Sequence, residues 1–583
     1  MSHPSPTLPD GAPFDTAALA RLANELFKAG PGGPGASLAP PLGVPGVQAP
    51  ANIAPAGSPL ASPAGLGPAV PGTPIPQGQL PGTNLIPASP TQLPSLANRI
   101  PALTPSALAG NGIPDKIYSA APAYEPRSGG AVLGVPPLGL GGPRQADAPA
   151  YYFLNEWQSP AGASAASPSP ALGAVRSQPP FDVHAVRRDF PILQERVNGR
   201  QLVWFDNAAT THKPQSVIDR ISYFYEHENS NIHRAAHELA ARATDAYEGA
   251  RERVRRFINA PDVNEVIFVR GTTEAINLVA KSWGAQHIGE GDEIIVSHLE
   301  HHANIVPWQQ LAAAKGAKLR VIPVDDSGQI LLDEYRKLLN PRTRLVSVTQ
   351  VSNALGTVTP VKELVALAHS VGAKALVDGA QSVSHMRVDV QDLDADFFVF
   401  SGHKVFGPTG IGVVWGKRAV LEDMPPWQGG GNMIADVTFE KTVYQPIPNK
   451  FEAGTGNIAD AVGLGAAIDY VNRIGIENIA RYEHELLVYG THQLQQIPGV
   501  RLIGTAADKA SVLSFVLDGY TTEQVGKALN EEGIAVRTGH HCAQPILRRF
   551  GVETTVRPSL AFYNTYDEID RLATVIRRLA SQR

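Results

Sequence analysis

Between Lys28 and Arg99 the chain runs for 70 residues without one Asp, Glu, Lys or Arg, and Pro, Gly, Ala and Ser fill the stretch instead. The bias extends to residue 180: the first 180 of 583 residues hold 35 of the 50 prolines and 23 of the 55 glycines, but only 7 of the 49 basic and 7 of the 54 acidic side chains. Such a segment has too few core-forming residues to offset a backbone ordering cost of about 1–2 kcal/mol per residue. Residues 1–180 are therefore expected to be a disordered, partly polyproline-like leader, and residues 181–583 to carry the folded protein.

Because the leader's charges cancel, the net charge of −5 belongs to the remainder. That balance argues against a nucleic-acid partner or an anionic membrane, both of which require a basic surface. No run of about 18 apolar residues occurs, and the first twenty residues lack the basic-then-apolar order of a signal peptide, so a cytoplasmic protein is expected. Cys542 is the single cysteine. It excludes an intrachain disulfide and a zinc site built on several thiolates, and any thiol chemistry must use it.

Short apolar islands interrupt the leader. In 14–28 the residues Phe14, Ala18, Leu22 and Leu26 recur every four, opposite Asp15, Arg21, Glu25 and Lys28, which predicts an amphipathic helix closed by Gly30 and Pro31. Residues 95–100, 117–124 and the cluster Tyr151, Tyr152, Phe153, Leu154 and Trp157 form further islands, and aromatic clusters in a disordered tract read as docking motifs.

After residue 180 the pattern changes to buried apolar runs at 266–269, 293–296, 319–322, 345–348, 375–377 and 397–400, separated by helical stretches such as 273–283 and 361–371. This predicts an α/β fold with a mainly parallel sheet covered on both faces. Helices at 459–473 and 476–495, a strand region at 512–517 and a closing helix from Tyr566 predict a smaller α+β part. The expected organisation is a leader at 1–180, a large domain with its N-terminal segment at 181–455, and a small C-terminal domain at 456–583.

Ligands of such sheets bind at the carboxyl ends of the strands. Gly271-Thr272-Thr273-Glu274 there opens a helix and offers amides and hydroxyls to a phosphate. Ser401-Gly402-His403-Lys404 places a lysine just past a buried strand, where desolvation lowers its pKa as a Schiff-base amine requires. Asp378-Gly379-Ala380-Gln381 offers a carboxylate able to keep a pyridinium nitrogen protonated. Taken singly, the bland readings are a capping box, a surface lysine and a helix N-cap; the three in this order are far more specific.

In these motifs the chain resembles the pyridoxal-phosphate enzymes of fold type I, class V aminotransferase group. Glu300-His301-His302-Ala303-Asn304, Ser352-Asn353, Arg537-Thr538-Gly539-His540-His541-Cys542-Ala543 and Arg557-Pro558-Ser559-Leu560 further resemble the group II, SufS-like cysteine desulfurases. The resemblance implies pyridoxal 5'-phosphate on Lys404, with Asp378 at the pyridine nitrogen, Gln381 at the ring oxygen and His301 stacked on the ring. It implies a phosphate held by Thr272, Thr273, Ser401 and His403, joined by Thr455 reaching across from the second subunit of a homodimer. Arg557 would clamp the substrate carboxylate, a task suited to a planar guanidinium, and Arg537, Asn353 and the His233-Arg234 pair would line the substrate side. Lys404 would move the Cα proton of L-cysteine, and Cys542 would take the sulfur as a persulfide and release L-alanine. Selenocysteine should also be accepted.

His540 and His541 are expected to help tune the Cys542 thiol, and the histidines near Cys542 lack convincing metal-ligand spacing, so no metal is expected. Gly456 after Thr455, Ala235 after Arg234 and Pro558 after Arg557 depart from the usual pattern without removing a reacting group. The rival readings are a selenocysteine lyase or another class V lyase, which would not need the thiol, and a decayed scaffold, which would not need Lys404. The long leader on a group II desulfurase resembles the cargo enzymes of family 2A encapsulin nanocompartments. It implies packaging by a shell protein through residues 1–180; the alternative is a free cytosolic desulfurase tethered to a sulfur-acceptor or iron–sulfur assembly protein.

Overall fold

The computed structural model describes residues 181–233 and 237–582, so the leader with its islands, and Arg234, lie outside the described residues. Seven strands form the central sheet: β1 (Val266–Val269), β2 (Glu293–Ser297), β3 (Lys318–Ile322), β4 (Thr343–Thr349), β5 (Lys374–Asp378), β6 (Phe397–Ser401) and β7 (Gly412–Gly416). Their order is β1-β7-β6-β5-β4-β2-β3. The pairs from β3 to β6 are parallel, and β7 runs antiparallel to both β6 and β1. Alternate residues feed opposite faces: Phe398, Phe400, Val346 and Val377 enter one apolar core, and Phe397, Val399, Leu345 and Leu376 the other. Each such side chain contributes roughly 1.5–3 kcal/mol by leaving water, which is why these strands carry apolar residues on both faces rather than on alternate positions.

All six sequence-predicted strands of the sheet are present, and β7 is an addition. Its glycine has a packing reason, since a Cβ on Gly412 would lie 2.5 Å from the Cα of Gly271. The close approach brings the turn after β1 beside the end of β6. Helices α1 (Gln215–His227) and α2 (Glu238–Phe257) precede the sheet, α3 (Thr272–Val279) follows β1, and α4 (Val361–Ser370) lies between β4 and β5. The helix expected over 273–283 is α3 followed by a wider π turn, Ala280–Gly284, where Trp283 and Ser282 are buried.

The packing continues across the expected boundary at 455/456. Helix α5 (Ile458–Ile474) packs on α1 and α2, and Val203–Trp204 of the N-terminal segment pairs in parallel with Ile534–Ala535. Beyond α5 come α6 (Ile476–Gln495) and a four-stranded antiparallel sheet of β8 (Val500–Leu502), β9 (Phe515–Leu517), β10 (Arg537–Gly539) and β11 (Thr555–Arg557), in the order β8-β9-β11-β10. Closing helix α7 (Tyr566–Ser581) starts with a capping box from Thr565 and Glu568. Of the strand region expected over 512–517, only β9 is a strand; Val512 makes an isolated bridge to Ser559.

Candidate active site

A cavity of about 290 Å³ opens where β2, β4, β5 and β6 end and β10 and β11 meet them. At its floor, Asp378 closes β5, is buried, and accepts a hydrogen bond from the Ala380 amide at 2.9 Å. Burial raises its pKa, against that amide and the Lys404 cation. Lys404 stands in the short turn after β6; burial brings its amine down to about 8, partly opposed by Asp378. Near neutral pH that amine carries far more of the free base than an ordinary lysine. Gln381 donates to the Ala208 carbonyl at 2.6 Å and lines the same wall.

Beside the lysine is a cradle of small hydroxyls. Thr272 opens α3, its amide donates to Ser401 Oγ at 2.9 Å, and the two hydroxyls are 2.8 Å apart. Thr273 and His403 complete this end of the cavity. Burial, with Lys404 nearby, lowers His403 to about 4, so it is neutral at pH 7. His301 follows the end of β2 and faces the cavity; burial first, then Lys404, lowers it to about 3. Its Nδ1 accepts from the Ala303 amide at 3.0 Å, which fixes the ring.

The opposite end is basic. Arg557, the last residue of β11, donates to the Asn353 carbonyl at 2.9 Å and to Asp206 Oδ1 at 3.2 Å, while its buried Nε–H has no partner. Burial lowers it to about 10, which Asp206 partly offsets. Arg537 lies directly across the ladder from Arg557 and also lines the cavity. Cys542 is exposed at the mouth as a free thiol.

Twelve expected residues thus meet in one cavity. Thr455 and His233 do not line it. Thr455 donates to Asn231 at 3.3 Å, and His233 pairs with Glu248 at 2.8 Å. His540 and His541 directly precede Cys542, and each has further partners. His540 accepts from the Cys542 amide and stacks on His302, and His541 bonds Thr555 at 2.8 Å while burial lowers it to about 2. Asp206 was not singled out by sequence, and Glu300 and His302 stood in the motif Glu300-His301-His302-Ala303-Asn304 without an assigned role. Asp206 had one signal, a lone carboxylate ending the apolar run Leu202, Val203, Trp204 and Phe205. Among the described residues no group of three or more His, Cys, Asp and Glu is arranged to hold a metal ion, and no helix is long and apolar enough to cross a membrane.

The family model for class-V aminotransferases matches residues 203–572. The chain belongs to the class-V aminotransferase family. It is 75% identical over 399 residues to a cysteine desulfurase of Synechococcus elongatus, a match spanning 68% of this chain and 64% of that one. The chain thus spans less than two thirds of that relative's length. A cysteine desulfurase of Pectobacterium carotovorum is 51% identical over 400 residues, 68% of this chain and 98% of the relative. Among solved structures, the Escherichia coli cysteine desulfurase CsdA superposes with a TM-score of 0.64 at 40% identity, covering 69% of this chain and 99% of that one.

Pyridoxal 5'-phosphate is the cofactor of class V cysteine desulfurases, and the residues present fit it. A buried carboxylate suits the ring nitrogen, a desolvated amine the aldehyde, a neutral imidazole the ring face, and the hydroxyl and amide cradle at α3 the phosphate.

Proposed function

We propose that the protein is a pyridoxal-phosphate-dependent cysteine desulfurase of the group II, SufS-like type, converting L-cysteine to L-alanine and leaving a persulfide on Cys542. The observation that carries this reading is the thiol at the mouth of the cavity that also holds Lys404, Asp378 and Arg557. Lyases and aminotransferases with the same cradle need no such thiol. When bound, the cofactor withdraws electrons from the substrate and so acidifies its Cα proton. Lys404 Nζ, with its lowered pKa, takes and returns that proton. Asp378 holds the opposite end of the site negative, and Arg557 fixes the substrate carboxylate, aiming the substrate sulfur at the mouth.

The sulfur step balances with Cys542 alone. Its Sγ attacks the substrate sulfur, an S–S bond forms as the Cβ–S bond breaks, and the electron pair and a proton end on Cβ to give alanine. The thiol becomes Cys–S–SH. Selenocysteine meets the same residues and has the better leaving atom. The test is Cys542→Ala beside Lys404→Ala, each assayed for alanine and sulfide from L-cysteine with the cofactor band recorded. The first should keep the band and lose desulfuration by at least about a hundredfold, and the second should lose both. Normal desulfuration by Cys542→Ala would sink the mechanism.

The enzyme acts as a cytoplasmic homodimer in which Thr455 serves the partner's phosphate site, and residues 1–180 package it in an encapsulin nanocompartment. The packaging reading is supported by the leader's composition and islands. The long relatives also support it: matches of about 400 residues cover 64%, 66% and 58% of three of them, so each carries a large segment outside the shared enzyme. A free cytosolic desulfurase serving a sulfur-acceptor protein is the second reading, favoured by the 98% coverage of the Pectobacterium relative.

A further inference from the structure

We propose that Asp206 is a positioning residue for the substrate carboxylate, holding Arg537 and Arg557 together at the basic end of the cavity; this inference rests on the desulfurase reading above. The two arginines are directly opposed on the antiparallel ladder of β10 and β11. Like charges in that relation repel, yet both guanidiniums line the cavity. One carboxylate reconciles them. Asp206 Oδ1 accepts from Arg557 Nη2 at 3.2 Å, and Oδ2 accepts from Arg537 Nε and Nη2 at 3.0 and 2.8 Å.

Asp206 stands behind the arginines and does not itself line the cavity. Its backbone is stitched to the segment just after Arg557: Asp206 bridges Ser559, the Ser559 amide donates to the Phe205 carbonyl at 2.7 Å, and Asn207 donates to the Ser559 carbonyl at 2.7 Å. The carboxylate therefore moves with Arg557. Arg557 is 3% exposed and Arg537 50%. Without the shared anion, Arg537 is free to swing into solvent, while Arg557 is left as a buried cation held by the neutral Asn353 carbonyl. Its unpaired Nε–H then loses the orientation that presents it to a bound carboxylate.

The test uses the full-length holoenzyme with Asp206→Asn and Asp206→Ser, which remove the charge but keep a short polar side chain. KM for L-cysteine should rise about tenfold or more, with kcat at saturation within about threefold of wild type. The affinity for propionate, a carboxylate with neither amine nor thiol, followed by ligand-observed NMR, should fall in parallel. The cofactor band should be unchanged. Adding Arg537→Ala to Asp206→Asn should raise KM less than Arg537→Ala does alone, because Asp206 acts partly through Arg537. Unchanged KM and propionate affinity would overturn the proposal. So would loss of kcat or cofactor without a change in KM, or failure of both variants to fold, which would make Asp206 a folding determinant only. If the wild type released no alanine but propionate binding still fell in the variants, the desulfurase reading would fail and the role of Asp206 would stand.

Discussion

Replacing Glu300 by Gln tests how the site keeps two carboxyl groups close together. Glu300 is fully buried, accepts from Ser297 Oγ at 2.6 Å, Asn304 Nδ2 at 2.7 Å and the Thr349 amide at 3.0 Å, and is close enough to Asp378 to feel its charge. Burial raises its pKa from 4.5 to about 8. The group therefore keeps its proton in the folded protein at pH 7 while the unfolded chain has lost it. Folding takes up a proton between those two values, so this contribution to stability is fully present below pH 4.5 and declines as pH rises to 8. Each pH unit is worth about 1.4 kcal/mol, so from pH 5.5 to 7.5 Glu300 alone removes roughly 2–3 kcal/mol.

The glutamine variant cannot titrate, but it must set its amide against either Asn304 Nδ2 or the Thr349 N–H. One unmade hydrogen bond should lower its stability by about 1–3 kcal/mol at every pH. The slope against pH isolates the proton. His212, His301, His403 and His541 have lowered pKa values and push the slope the other way in both proteins, so they cancel in the comparison. Urea unfolding of both proteins at pH 5.5, 6.5 and 7.5, followed by circular dichroism and tryptophan emission, gives the difference. Equal pH slopes would refute the neutral-acid assignment of Glu300.

Thr455→Ala should weaken cofactor retention several-fold on dialysis while leaving the fold intact, because the bidentate Glu452–Arg251 pair anchors that loop to its own chain; an active monomer in sedimentation at assay concentration would defeat the shared-site reading. Deleting residues 1–180 should leave desulfurase activity nearly unchanged but prevent packaging when shell protein is co-expressed, and the grafted leader should carry a fluorescent protein into shells. Co-elution of the truncated enzyme with shells at the full-length level would leave the tethered alternative standing.

The sheet and the floor of the site were legible because fully buried parallel strands are apolar runs whose carboxyl ends bear the chemistry. Asp378, Lys404 and Thr272 each follow such a run within a few residues. Strand β7 was not legible, since Gly412 and Gly416 bracket a short apolar run that follows a Gly-Pro-Thr-Gly loop. Asp206, and the roles of Glu300 and His302 within their motif, were hidden for another reason: each also bonds a residue remote in sequence. Asp206 meets Arg557 only across 351 positions, and Glu300 meets Thr349 across 49. The pairing of His233 with Glu248 was likewise not legible, since Glu248 lies about three turns into a neighbouring helix, a relation that no local motif records.

The thiol loop joins these threads. Residues 540–543 are all that connect β10 to the next helix, Gln544–Arg549, and within them His541 and Cys542 both hold φ of +53°. Two consecutive side-chain-bearing residues in the left-handed region cost on the order of 1 kcal/mol each, and persist only where their surroundings impose them. Here the restraint is on the carbonyls: Asn353 Nδ2 donates to that of His541 and the His302 amide to that of Cys542, both at 2.7 Å. Asn353 also supplies the carbonyl that holds Arg557, and His302 follows His301, which lines the cavity. In the desulfurase reading the same two segments therefore set the substrate's carboxylate end, the ring end and the thiol. On that reading a loop so short and so held cannot carry a persulfide away from the mouth. Sulfur can leave only to an acceptor that comes to the exposed Cys542, so in the packaged reading the acceptor must be small enough to pass the shell or be enclosed with the enzyme.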